Sequence, residues 1–170
     1  MEDSVFRKIT YGMYIVSSVK DGRFNGQIVN TVFQITDAPA MIAVCINRMN
    51  LTREFIEASG LLSVSVLSEE TPMTYIGRFG FRSGHDIDKF KDTKSRVLAS
   101  GCPVALDHSL GYIEAVVKDR QENGAHTLYT CEVRDSGIIA AGRPLTYEQY
   151  HEIKKGLTPK SAPTYEHAKG

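Results

Sequence analysis

The chain has no tryptophan, only three cysteines and no surplus of charge of either sign, and two of these shortages close off whole classes of protein. Cys45, Cys102 and Cys131 are odd in number and irregularly spaced, which yields neither a disulfide framework nor the paired Cys-x-x-Cys of a zinc or rubredoxin-type iron site. Any iron or second redox centre has to come from another molecule. Cys45 and Cys131 fall inside strand-like sequence and read as small core residues in a reducing compartment. Twenty basic side chains offset twenty acidic ones, so no global field draws the protein to nucleic acid or to an anionic membrane. No apolar run reaches the length of a membrane span, and the start Met1-Glu2-Asp3-Ser4 lacks the basic-then-apolar order of a secretory signal. The expected location is cytoplasmic. Gly77, Gly80 and Gly84 do not form Gly-x-Gly-x-x-Gly after a strand, so a Rossmann nicotinamide module is not supported.

What is present is β-periodic sequence. With 170 residues and 42% hydrophobic content, the chain has enough material for one well-buried core. Alternation begins at Met13, Ile15 and Ser17 and ends at Asp21-Gly22, a hairpin signal. Further strands are predicted at 27–35, 40–46 and 61–67, the last with one face inward. Two more, at 112–120 and 126–134, flank Asn123-Gly124, which favours a tight primed turn. Short helices are predicted at 52–59, at 72–79 with Thr71 as its cap, and at 145–155 after Pro144, ended by Gly156. In the last of these, Tyr147 and Tyr150-His151 read as the packed and exposed sides of a helix. The expected fold is mainly β, a barrel with short peripheral helices, over residues 1–155. Residues 156–170 form a proline-punctuated tail that must lie on the barrel or on a dimer partner to be ordered.

Two polar clusters carry the chemistry. Asn25-Gly26-Gln27-Ile28-Val29-Asn30-Thr31 and Asn47-Arg48-Met49-Asn50-Leu51-Thr52 interrupt strand-like sequence, and the second stands directly before a helix. Backbone amides, amide side chains and Arg48 can converge there on an anion at a helix start. The ligand this suggests is a phosphorylated cofactor. A helix end contributes only about 0.3–1 kcal/mol to an anion, whereas micromolar affinity needs about 8 kcal/mol, so several segments have to share the task. Taken singly, Asn47 and Asn50 are ordinary turn and cap residues, Arg48 is a solvated charge and His126 a half-exposed strand histidine. His85, Asp86 and Asp88 read as a solvated polar loop, and no metal is assigned.

Five segments in order, 25–31, 45–52, Phe81-Arg82-Ser83-Gly84-His85-Asp86-Ile87-Asp88-Lys89-Phe90, Gly124 to Tyr129, and Pro144-Leu145-Thr146-Tyr147 through Tyr165, resemble the flavin reductase-like proteins with an FMN-binding split β-barrel. Within that family the chain is most similar to flavoredoxin and to the flavin domain of high-molecular-weight rubredoxins. The resemblance implies FMN, with FAD the lesser alternative, held by Val29, Asn30 and Thr31 along the flavin, by Asn47, Arg48, Asn50 and Thr52 at the ribityl phosphate, and by Ser83, Gly84 and Lys89. It implies that His126 stands near the ring or the nicotinamide approach, and that Tyr165 reaches the cofactor from the tail. It also implies a homodimer. Relatives carry a tryptophan near the first flavin segment, where this chain offers Phe33. Where relatives often carry a basic residue, this chain has His85.

Two activities follow from the resemblance. One is an enzyme that takes hydride from NAD(P)H and passes electrons to rubredoxin, a flavodiiron-type protein, free flavin or ferric iron. The other is a flavoredoxin-like electron-transfer protein that does not oxidise NAD(P)H itself. A non-catalytic split-barrel protein binding another ligand is the third reading.

Overall fold

The computed structural model describes residues 3–158. A 3-10 turn at Asp3–Lys8 leads into β1 (Tyr14–Lys20), β2 (Arg23–Val29), β3 (Val32–Asp37) and β4 (Ala40–Asn47). Helix α1 (Leu51–Ser59), β5 (Leu61–Leu67) and α2 (Met73–Gly80) follow. Then come β6 (Ser95–Val97), β7 (Pro103–Ala105), β8 (Ser109–Asn123), β9 (His126–Ile138) and α3 (Tyr147–Glu152).

Seven strands make one sheet in the order β2-β1-β5-β8-β9-β4-β3, and β6 pairs with β7 alone. The pairings within the large sheet are antiparallel. Val16 and Val29 near one edge share a buried cluster with Val44 and Ile46 near the other, and Ile56 of α1, Leu62 and Tyr129 complete it. A flat sheet could not bring those strands together, so the sheet is curled into the expected split barrel around this core. A second cluster lies beneath the helices, where Met13, Leu67, Ile76, Phe79, Phe90 and Tyr150 pack.

Asp21 and Gly22 both have positive φ, 50° and 71°, so the β1–β2 hairpin turns as its sequence requires. At the β8–β9 hairpin the turn comes one residue later than expected. Asn123 is still paired, opposite His126, and Gly124 alone takes positive φ. The stretch expected as one strand at 27–35 is two strands, because the chain breaks at Asn30-Thr31 between β2 and β3. Strand β5 buries both faces rather than one: Ser63 Oγ donates to Pro103 O and Ser65 Oγ accepts from Ala105 N, so β7 covers the side that alternation assigned to solvent.

The helix boundaries also differ. Thr71 does not cap α2; its hydroxyl donates to Ser68 O at 2.6 Å, and Pro72 occupies the N-cap without a side-chain bond. Helix α3 is shorter than predicted, because Pro144 bridges Ser68 and Leu145 pairs with Leu67 in extended form. It begins with a capping box, Thr146 Oγ1 accepting from Gln149 N while Gln149 Oε1 accepts from Thr146 N. Tyr150 is buried on its inner side as predicted, and His151 is half-buried. No helix among the described residues is long and apolar enough to cross a membrane.

Candidate functional site

A cleft of about 320 Å³ opens between the end of β2, the start of α1, the loop after α2, and α3. Its polar end is built by the turn from β4 into α1. Asn47 Oδ1 accepts from Met49 N at 3.0 Å and Asn47 O accepts from Asn50 N at 3.1 Å, which aims the first residues of the helix into the cleft. Asn50 stands at the N-cap with no side-chain cap bond. The first amides of a helix have no partner inside it, so those of Leu51 and Thr52 are donors directed at the cleft.

Thr52 is buried and its Oγ1 accepts from Asn25 Nδ2 at 2.8 Å, tying β2 to α1 across the site. That bond leaves the hydroxyl proton of Thr52 for another acceptor. On the other side of Asn25, a Cβ at Gly84 would collide with Asn25 Oδ1, so only glycine lets this loop come so close. Ser83 fixes the same loop, its carbonyl accepting from Asp86 N and Ile87 N and its hydroxyl from His85 N.

Lys89 is the decisive charge. Its side chain is buried, and Nζ donates to Gly26 O at 2.9 Å and to Phe79 O at 3.1 Å. Among the described residues it forms no ion pair, and burial lowers its pKa from the ordinary 10.5 to about 8. A buried ammonium held only by carbonyls is costly unless an anion joins it. A second incomplete group faces the same space: Gln27 Oε1 is buried against the cleft with no hydrogen-bond partner among the described residues. Val29, Ile28 and Phe79 supply apolar wall. Orphan amides, a buried cation, an unfilled acceptor and an apolar wall together fit the phosphate, ring N–H and ring face of a flavin.

Of the residues predicted from sequence, Val29, Asn30, Asn47, Asn50, Thr52, Ser83, Gly84 and Lys89 line this cleft. Three described ones do not. Thr31 turns inward to the sheet, its hydroxyl donating to Cys45 O. Arg48 is engaged on the β8–β9 hairpin, with Nε 3.1 Å from Glu122 and a bond to Gly124 O, because its neighbours in the turn take the cleft-facing positions. His126 pairs with Asn47 across β4 and β9 and is half-buried outside the lining. Tyr165 lies outside the described residues. Phe33 is 59% exposed on the outer strand β3, far from the role of a ring-packing aromatic.

Sequence reasoning placed Asn25 and Gln27 in a polar cluster of the site without singling them out as cofactor contacts, although Asn25, Gln27 and Val29 alternate along β2 and share a face. Arg82, in the third of the family-like segments, and Leu157, in the tail expected to lie on the barrel or on a dimer partner, line the cleft as well. Cys45, read as a core residue, stands in the cleft wall half-buried, with its thiol pKa raised by burial. Cys131 is a true core thiol, pushed up to about 12.

The sequence matches the model of the flavin reductase like domain over residues 6–154. The chain belongs to the flavin reductase-like family. It is 44% identical over 165 residues to the high-molecular-weight rubredoxin of Moorella thermoacetica, covering 97% of this chain and 72% of that protein. The ferric-chelate reductase (NAD(P)H) of Archaeoglobus fulgidus is also 44% identical over 165 residues, covering 97% and 98%. Among solved structures, the flavin reductase HpaC complexed with NADP+ superposes with a TM-score of 0.73 at 26% identity, over 85% of this chain and 89% of that one. This flavin reductase-like chain is an oxidoreductase, and the kinship with high-molecular-weight rubredoxin expected from its sequence is found.

Proposed function

We propose that the cleft holds FMN and that the chain takes reducing equivalents from NAD(P)H and passes them to an acceptor such as rubredoxin, a flavodiiron protein, free flavin or ferric iron. The observation that carries this reading is the buried Lys89 ammonium, held by two carbonyls and in no ion pair among the described residues, in a cleft that also receives the start of α1. The similarity to an NAD(P)H-dependent ferric-chelate reductase and to a flavin reductase complexed with NADP+ supports NAD(P)H as the donor. When bound, the flavin supplies two-electron uptake and one-electron release.

The chain's own residues bind and orient. The Leu51 and Thr52 amides and the Thr52 hydroxyl receive phosphate oxygens. Lys89 neutralises negative charge at the cleft's floor, with no carboxylate among the described residues paired to it. Gln27 Oε1 accepts a ring or ribityl proton, and Val29 and Phe79 exclude water from one side. A homodimer is supported by Phe33 and Ile35, 59% and 45% exposed on the edge strand β3. In such a dimer His126, outside its own subunit's cleft, serves the neighbouring one.

Anaerobic titration of the FMN-loaded protein with NADH and with NADPH tests the donor. Bleaching by either supports the reading. If neither bleaches it but reduced rubredoxin does, the electron-transfer reading stands instead, which the similarity to high-molecular-weight rubredoxin favours.

A further inference from the structure

Lys89 is held at its backbone as well as at its ammonium. Its carbonyl accepts from Thr93 Oγ1 at 3.2 Å, and Thr93 Oγ1 in turn lies 3.4 Å from Arg78 Nη1. A hydroxyl has one proton, and Thr93 gives it to Lys89 O, so towards Arg78 it accepts. The bonds therefore run one way, from the Arg78 guanidinium through the Thr93 hydroxyl to Lys89 O. The same guanidinium nitrogen donates to Lys91 O, two residues further along the turn. Arg78 stands in the last turn of α2, directly before Phe79, whose carbonyl receives the Lys89 ammonium. Helix α2 thus grips Lys89 at both ends from adjacent positions. Arg78 forms no ion pair among the described residues, so no carboxylate there draws it from these bonds.

The buried ammonium creates the need for such a grip. Lys89 is 5% exposed, and its four-carbon stem is long enough to carry the charge back to water if the backbone beneath it gives way. The titratable groups that line the cleft with it, Cys45, Arg82, His85, Tyr147 and Tyr150, include no carboxylate to hold it in place. The turn itself is fixed at its start, where Asp88 Oδ1 accepts from Phe90 N and Lys91 N and the Phe90 ring sits edge-on to those of Phe24 and Phe79. Asp92, with a left-handed φ of 60°, then reverses the chain so that Thr93, itself buried, comes back to Lys89 O. Neither Arg78 nor Thr93 lines the cleft.

We infer that Arg78 and Thr93 are positioning residues for Lys89: the chain of bonds from the guanidinium through the hydroxyl to the Lys89 carbonyl locks the turn 88–93 onto α2 and keeps the ammonium inside the cleft before any ligand arrives. The cation is thereby preorganised, and ligand binding does not have to draw it in from solvent. The effect on FMN rests on the flavin reading of the cleft; the effect on Lys89 itself does not.

The test uses Thr93→Val, Thr93→Ser and Arg78→Ala in the full, ligand-free chain, with NMR titration of the Lys89 side chain as the first readout. Wild-type Lys89 should titrate at about 8, the value to which burial lowers it. Thr93→Val keeps the shape of the side chain but lacks the hydroxyl, and both it and Arg78→Ala should raise the Lys89 midpoint by about one pH unit or more as the ammonium reaches water. Thr93→Ser keeps the hydroxyl and should restore the wild-type midpoint. In FMN titrations at pH 7, Thr93→Val should lose about tenfold in affinity, and in a Lys89→Met background the same change should cost nothing further. Arg78 is only half-buried, so Arg78→Ala is expected to fold and decides the matter should Thr93→Val not. A Lys89 midpoint that stays near its wild-type value in a folded Thr93→Val or Arg78→Ala protein overturns the proposal. So does an equal loss of FMN affinity with and without Lys89, which would make Thr93 a support of the fold alone. Failure of wild-type protein to bind FMN would refute the flavin reading and leave the Lys89 titration to decide this one.

Discussion

Asn25 Nδ2 donates to Thr52 Oγ1 at 2.8 Å, a buried bond between residues 27 positions apart that joins β2 to the first turn of α1 inside the cleft. Thr52→Val keeps the shape but strands the Asn25 amide, at a cost of about 1–3 kcal/mol. The melting temperature should fall, and FMN affinity should fall with it, because the hydroxyl and the position of α1 are lost together. Asn25→Ala should also destabilise while leaving the Thr52 hydroxyl in place, so its effect on FMN affinity should be the smaller of the two. Thermal melts and fluorescence titrations of both variants give the comparison.

Gly84→Ala pushes a methyl group into Asn25 Oδ1 and so acts on the same bond from the loop side. A several-fold loss of FMN affinity is expected. Combined with Asn25→Ala, which removes the obstructing carboxamide, the added cost of Gly84→Ala should shrink to what Leu51 Cδ2, 3.0 Å from the added methyl group, imposes.

Lys89 links the cleft to pH. Its folded-state pKa, about 8, lies below its ordinary 10.5, so between these values the unfolded chain holds a proton that the folded chain has released. The ligand-free protein therefore gains stability from this group as pH rises from 8 towards 10.5, and Lys89→Met lacks that component. Ligand binding runs the other way. A bound anion favours the protonated ammonium, so FMN affinity should weaken as pH climbs above about 8, with proton uptake on binding visible by calorimetry in two buffers of different ionisation enthalpy. Lys89→Met should abolish this uptake.

Arg48 is the contrasting cation. Held at the surface by Glu122 and Gly124 O, it contributes about 0–1 kcal/mol through an exposed pair. Arg48→Ala should change FMN affinity less than twofold. A tenfold loss would show that the phosphate draws Arg48 away from Glu122.

The first residues after α3 already close one side of the cleft. Leu157 lines it, Tyr150 Oη donates to Leu157 O at 2.8 Å, and Thr158 Oγ1 lies 2.7 Å from Tyr147 Oη. Truncation after Lys155 should weaken FMN binding, and an unchanged dissociation constant would make the tail a mere appendage.

Much of the scaffold was legible because it is written in local pattern. The alternation of β1, the Asp21-Gly22 turn and the polar turn before α1 each depend on neighbours in sequence. The break at Asn30-Thr31 was hidden because alternation continues across it, and the covered face of β5 was hidden because β7 arrives from 40 residues away. In the site, the segments were legible but the directions were not. Arg48 and Lys89 are both single cations in polar sequence, yet one lies on the surface and the other is buried, which only the packing of β2, α2 and the intervening loop decides. Alternation along β2 could have added Asn25 and Gln27.

The most direct test is to add FMN to wild-type protein and to Lys89→Met, desalt both, and record the visible spectrum and bound stoichiometry. Wild-type protein should retain about one flavin per chain with a resolved flavin absorption band, and the variant should lose at least tenfold in affinity while remaining folded. A wild-type protein that emerges colourless, or a variant that holds FMN as tightly as wild type, would contradict the claim that this buried ammonium marks the flavin site.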